Sequence, residues 1–136
     1  MKLHRILIAV LVFTIMLSAC TSTKLADIFD EDSVIERAKG IVELVNAYDF
    51  EAVNAQLRDD LQDQLTAGQL KDALEGKLVN AGAFVDYQSS AAVGQKSKST
   101  GEDYATVVLV GEYEKGTIVF TITMDANLEI VGLYAK

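Results

Sequence analysis

Proline is absent from this chain, histidine and cysteine occur once each, and there are 12 basic residues against 20 acidic ones. The single histidine, His4, and the single cysteine, Cys20, lie within or at the edge of an N-terminal leader. Beyond them no imidazole and no free thiol remains. That excludes Ser/His/Asp and Cys/His nucleophilic arrangements, zinc sites of the usual His/Cys type, and any disulfide. Setting aside Lys2 and Arg5 leaves 10 basic and 20 acidic residues, a formal charge of −10 on the chain beyond the leader. A body so charged is repelled by nucleic acid and by anionic lipid before contact forms. Neither a nucleic-acid partner nor a cofactor is expected, and attachment to any membrane must come from something other than charge.

What is present begins with an export signal. Lys2, His4 and Arg5 make a basic start, and Ile6 to Leu17 is a nearly unbroken apolar run. This run is shorter than the roughly 20 apolar residues that a spanning helix needs, and it has the order of a secretory signal. It ends in Leu17-Ser18-Ala19-Cys20, which resembles the lipobox of bacterial lipoproteins. The resemblance implies cleavage between Ala19 and Cys20 and acylation of the Cys20 thiol with palmitate-type chains. Each buried methylene then contributes about 0.8 kcal/mol to holding the protein on a bilayer. The alternative is an uncleaved membrane anchor with Cys20 a bystander. Thr21, not Asp, follows the cysteine, so the implied location is the outer face of the cytoplasmic membrane, or the outer membrane where the cell has two.

The chain therefore divides into a leader at 1–19, a lipidated cysteine and flexible tether at 20–32, and a domain at 33–136. Ser33 to Glu36 fits a capping box. Val34, Ala38, Ile41, Val42 and Val45 then share one face of a helix expected from 34 to about 47. Asp49 caps a second helix carrying Phe50, Val53, Leu57 and Leu61. Thr66 and Gln69 form another capping box ahead of Leu70, Leu74 and Leu78, with Gly82 closing the third helix. Strands come next at 83–93, 104–113, 116–124 and 128–134, with a Lys, Ser and Gly loop over 94–103. Ile118, Phe120, Ile122 and Met124 alternate with Thr117, Val119, Thr121 and Thr123, so one face of that strand is buried. Helices first and then a meander predict an α+β domain, with three helices packed on a curved antiparallel four-stranded sheet.

In that order of elements the chain resembles the nuclear transport factor 2-like, or cystatin-like, cone fold. More narrowly, it resembles a bacterial family of uncharacterised domains found alone in secreted or lipid-anchored proteins and ahead of some α/β-hydrolases. The likeness is carried by Ala38 to Phe50 (AKGIVELVNAYDF), Ala81-Gly82-Ala83-Phe84, Glu112-Tyr113-Glu114-Lys115-Gly116 and Ile130-Val131-Gly132-Leu133-Tyr134. It implies a fold and a location, and no reaction.

Cones of this kind often enclose a pocket, and some run acid/base chemistry there with a carboxylate and a tyrosine. Asp86, Tyr87, Tyr104 and Tyr113 supply those groups, if a carboxyl lies dry and faces an acidic hydroxyl. The plainer expectation puts Asp86 in solvent and leaves the tyrosines capping a core edge with wet hydroxyls. Glu31-Asp32 and Asp59-Asp60 lack the ligand spacing of a calcium loop and read as solvated charge. The threonine-rich face over 117–123 reads either as a homodimer or partner surface or as an ordinary exposed sheet face. The expected function is a lipid-anchored, non-catalytic module that binds a small apolar ligand or a protein partner. A pocket enzyme of isomerase or dehydratase type and a dimerisation or spacer unit are the alternatives.

Overall fold

The computed structural model describes residues 24–136. Leu17, Ser18, Ala19 and Cys20, on which the lipobox reading falls, lie outside the described residues. Four helices come first: α1 (Glu31–Asn46), α2 (Phe50–Gln56), the single turn α3 (Asp59–Gln62) and α4 (Ala67–Ala81). Four strands complete the chain: β1 (Phe84–Lys96), β2 (Asp103–Tyr113), β3 (Gly116–Met124) and β4 (Ile130–Ala135). They form one antiparallel sheet in sequence order. The domain is α+β, with helices on one face of a four-stranded sheet.

The helix ends show local chemistry at work. Thr66 accepts from the Gln69 amide while the Gln69 side chain accepts from the Thr66 amide, a complete capping box. Asp49 accepts from Ala52 N–H and starts α2. Gly82 stops α4 at φ 79°, a conformation that costs glycine nothing.

The first helix departs from the sequence expectation. Its cap is Asp30, which accepts from the Ser33 amide at 2.9 Å and the Ser33 hydroxyl at 2.7 Å. These bonds hold the Asp30 carboxyl below its ordinary range. Glu36 does not reach back and pairs instead with Lys39. The tether expected over 20–32 is also partly structured. Phe29 is buried in the core, and Leu25 and Ala26 pack against it.

Two further differences lie in the sheet and in α2. β1 runs on to Lys96 because Gly94 is buried on its inner side. A Cβ there would run into the Lys24 carbonyl oxygen and lie 3.1 Å from the Leu25 Cα. Leu57 leaves α2 in extended conformation and bridges Ile130, and Leu61 falls in the separate turn α3.

The core lies between the helices and the inner face of the sheet. Val34, Ala38, Ile41, Val42 and Val45 of α1, with Val53, Leu70, Leu74 and Leu78, meet Val107, Leu109, Ile118, Phe120, Ile122 and Met124. Burying each such side chain stabilises by roughly 1.5–3 kcal/mol. Val119, Thr121 and Thr123 are partly exposed on the opposite face, and Thr123 bonds Thr106 there, hydroxyl to hydroxyl, at 3.0 Å.

Candidate functional site

The sheet has two ends. One carries the start of β1, the β2–β3 turn and the last turns of α1 and α4. The other carries the 97–102 loop and the β3–β4 turn. The four site residues expected from sequence are divided among the ends and faces. Phe84 pairs with Tyr113, Asp86 with Glu112 and Tyr87 with Gly111, and the register shifts between Phe84 and Asp86 and again between Tyr87 and Ser89. Each shift inserts one residue. Phe84 and Tyr87, three apart in sequence, thereby share the inner face, and Asp86 is exposed on the outer one. Asp86 is spent locally, accepting from the Tyr87 amide at 2.8 Å. The structure therefore separates this carboxylate from the tyrosine rings.

Those rings form a cluster instead. Phe84 meets Tyr87 edge-on with ring centres 4.9 Å apart and Tyr113 with centres 5.5 Å apart, within the range where aromatic pairs attract. The Tyr113 hydroxyl donates to Asn46 Oδ1 at 2.6 Å, so it is not wet as expected. The Tyr87 hydroxyl is buried without a hydrogen-bond partner among the described residues, and Lys39 Nζ stands 5.4 Å from the centre of its ring. Burial pushes both tyrosines up to about 12, helped at Tyr87 by the nearby Glu43 and Glu36 charges and opposed at Tyr113 by the Asn46 bond.

In front of this cluster lies a hollow of about 330 Å³ lined by Asn46, Tyr48, Leu78, Gly82, Ala83, Phe84 and Tyr113. Tyr48 also lines an adjoining hollow of about 380 Å³ with Phe50, Glu51 and Lys71. Tyr48 follows the end of α1 at φ 57°, with the Asp49 amide donating to the Leu44 carbonyl across it. Glycine usually fills this place, and a side chain there costs on the order of 1 kcal/mol. Among the described residues, three of the five large apolar side chains that stand exposed, Tyr48, Val79 and Val85, are at this end of the molecule.

Tyr104 belongs to a second cluster at the other end. Its hydroxyl donates to Glu102 at 2.6 Å, and that bond raises its pKa. Arg58 gathers the group, donating to Asp60 at 2.7 and 3.1 Å and standing 3.7 Å from Glu102 and 3.5 Å from Asp125. Asp125, 3 % exposed, also accepts from the Asn127 and Glu129 amides. Every carboxylate here is engaged, so the cluster fastens the α2–α3 segment to the β3–β4 turn. Glu31, Asp32, Asp59 and Asp60 are exposed helix-start residues, and no group of three or more metal-ligating side chains occurs among the described residues.

The tyrosine cluster carries a pH prediction. The folded chain keeps two protons that the unfolded chain releases near pH 10. Their contribution to stability is therefore complete below pH 10 and is lost as pH rises toward 12. Tyrosinate absorbance should show a late component that Tyr87→Phe and Tyr113→Phe each reduce, and urea midpoints should fall across the same window. Midpoints that stay flat from pH 10 to 12 would contradict the burial of these rings.

Neither Arg58 nor the Asn46–Tyr113 bond was among the sequence expectations. Among known proteins, no curated one matches the chain. Among solved structures, the NMR structure of a protein from Ruminococcus gnavus ATCC 29149 is similar with a TM-score of 0.73 at 24% sequence identity, covering 82% of this chain and 96% of that one. The likeness is one of fold. A family model described as protein of unknown function, DUF3887, matches residues 38–133, from α1 through β4. The chain belongs to the DUF3887 family.

Proposed function

We propose that this protein is a non-catalytic binding module of the bacterial cell envelope, held on a membrane surface by lipid on Cys20. Its ligand contact is the aromatic hollow rimmed by Tyr48, Phe84 and Tyr113. The observation that carries this reading is the position of the hollow outside a filled interior. Leu109, Phe120, Ile122 and Met124 occupy the space under the helices with no exposure above 1 %. Burial pushes the Tyr87 and Tyr113 hydroxyls up to about 12, Asp86 is exposed on the outer face, and the carboxylate beside the hollow is that of Glu114, against Gly82. Such a rim offers flat apolar area with Asn46 and, at its Gly82 edge, Glu114 as polar groups, which suits a small ring or an aromatic side chain of a partner. We further place the cone among nuclear transport factor 2-like domains, on the order and packing of its helices and strands.

The strained Tyr48 gives a test that separates binding from folding. Tyr48→Gly relieves the left-handed strain and gives up an edge contact with Phe50, whose ring centre is 6.2 Å away. Stability should change by less than about 1 kcal/mol. Indole, used as the probe, should shift the amide resonances of Asn46, Tyr48, Phe84 and Tyr113 in the wild type and lose most of that effect in the variant. Shifts scattered over the helices, or unaltered by Tyr48→Gly, would refute the hollow as a ligand contact.

The lipid anchor is supported by the Leu17–Cys20 sequence after a short apolar run. No helix among the described residues is long and apolar enough to cross a membrane. Cys20→Ala is expected to leave a folded domain that moves from the membrane fraction to the soluble fraction. Mass spectrometry of the native protein checks the same point, and an unmodified thiol at position 20 would end this part of the proposal.

A further inference from the structure

The path by which the chain joins its domain bears on how the domain stands on a bilayer. Lys24 and Leu25 cross the inner side of β1 at Gly94, with no room for even a methyl group between them. Leu25 and Ala26 pack on the core and Phe29 is buried in it. The first described residues are thus fixed at the end of the sheet that carries Lys96 and the 97–102 loop. Phe84, on the rim of the hollow, begins the same strand ten residues before Gly94. At about 3.3 Å per residue this separation is roughly 30 Å.

We infer that the end bearing Lys24, Gly94 and the 97–102 loop faces the phospholipid headgroups, and that the aromatic hollow is presented away from them. The inference rests on Cys20 being the lipidated residue. Cys20 precedes Lys24 by four residues, a reach of at most about 14 Å. That is too short to let the hollow end turn down to the surface, because the attachment point would then stand roughly 30 Å off it.

A domain lying on its side is within that reach but is opposed by charge. It would bring more of a body with a formal charge of −10 against anionic headgroups, within the roughly 8 Å over which such repulsion acts at physiological salt. Standing on the attached end keeps the rest of that charge clear of the headgroups. That end offers Lys24 and Lys98, both exposed, and Ile28, 63 % exposed. It also carries Asp27, Glu31, Asp32 and the Arg58 cluster with Asp60, Glu102 and Asp125, so the short tether and not attraction to the surface sets the orientation.

The test uses the 20–136 chain, whose core residues all lie between Phe29 and Ala135. It is coupled through Cys20, its single thiol, to a maleimide lipid in vesicles of phosphatidylcholine with a minority of phosphatidylglycerol. A donor fluorophore is placed through an azide-bearing residue at position 98 or at position 115, in the β2–β3 turn beside the hollow, and an acceptor is carried on the headgroups. Transfer from position 98 should exceed transfer from position 115 several-fold. Inserting ten Gly/Ser residues between Thr23 and Lys24 should shrink that difference, as should Gly94→Ala, which forces Lys24 and Leu25 off the sheet. Equal transfer from the two positions overturns the inference. So does a difference that survives the insertion unchanged. Because the lipid is supplied chemically, a native Cys20 without lipid would count against the proposed anchor and leave this orientation result standing.

Discussion

Phe120→Ala is expected to lower the unfolding free energy by about 4 kcal/mol, the largest effect of any single truncation in the domain. Phe120 is fully buried at the middle of β3, paired with Leu109 on one side and Ala135 on the other, and is the largest of the fully buried side chains. Its removal loses the transfer of a phenyl ring and leaves a cavity between two layers whose backbones are fixed by the sheet ladder and by α1. The next residue is the control. Thr121 is partly exposed on the opposite face, and Thr121→Ala should cost less than about 1 kcal/mol, because only cross-strand contacts with Val108 and Tyr134 are lost. Urea unfolding of the two variants measures the contrast. Similar losses at positions 120 and 121 would mean that the inner face had been assigned to the wrong side.

Asp125→Ala should cost about 3 kcal/mol, nearly as much, for a different reason. The carboxylate is 3 % exposed and accepts from Asn127 N–H at 2.9 Å and Glu129 N–H at 3.0 Å, while Arg58 stands 3.5 Å away. Alanine strands two backbone donors in a turn that already holds Leu128 at φ 61°. It also removes one of the charges that fix Arg58. Asp125→Asn keeps one acceptor and should cost about half as much. A second consequence distinguishes this from a generic loss of packing. The Arg58 amide donates to the Ile130 carbonyl and Leu57 bridges Ile130, so loosening the turn should speed hydrogen exchange at Arg58 well before it affects α4. Uniform acceleration across the domain would argue against a local fastening role.

Much of the fold was legible because its determinants are close in sequence. Thr66 and Gln69 are one helical turn apart, Gly82 follows the last apolar residue of α4, and Ile118 to Met124 alternates without a break, so each of these elements starts, ends or faces as expected. The cap of α1 was misplaced because Asp30 and Ser33 are both good capping residues three positions apart. The choice between them was made by Phe29, whose burial draws the chain into the core one residue before the Asp30 cap. The departure of Leu57 from α2 depends on Ile130, far along the chain.

The site was less legible than the fold. Alternation predicts that Tyr87 and Phe84 face opposite ways, and the irregularity in β1 between Phe84 and Asp86 brings them together, with no residue type that announces it. Asp86 was grouped with Tyr87, Tyr104 and Tyr113 by residue type alone, and neighbours on a strand such as Asp86 and Tyr87 point to opposite faces. Arg58 and Asp125 are far apart in sequence, and nothing about either residue alone points to the other.

The irregular stretch of β1 has an additional bearing on how these molecules behave as neighbours. β1 is the outermost strand on its side, and a straight run of 13 residues there would offer an unbroken row of free amides and carbonyls to the next molecule. Two inserted residues within the first six interrupt that row where Val85 stands exposed, and a twisted, interrupted margin is a poor template for cross-molecular pairing. If lipid on Cys20 holds the molecules in a plane, as proposed, where collisions are frequent and orientations shared, the distortion that gathers the rings on one side would also keep each copy from polymerising with the one beside it.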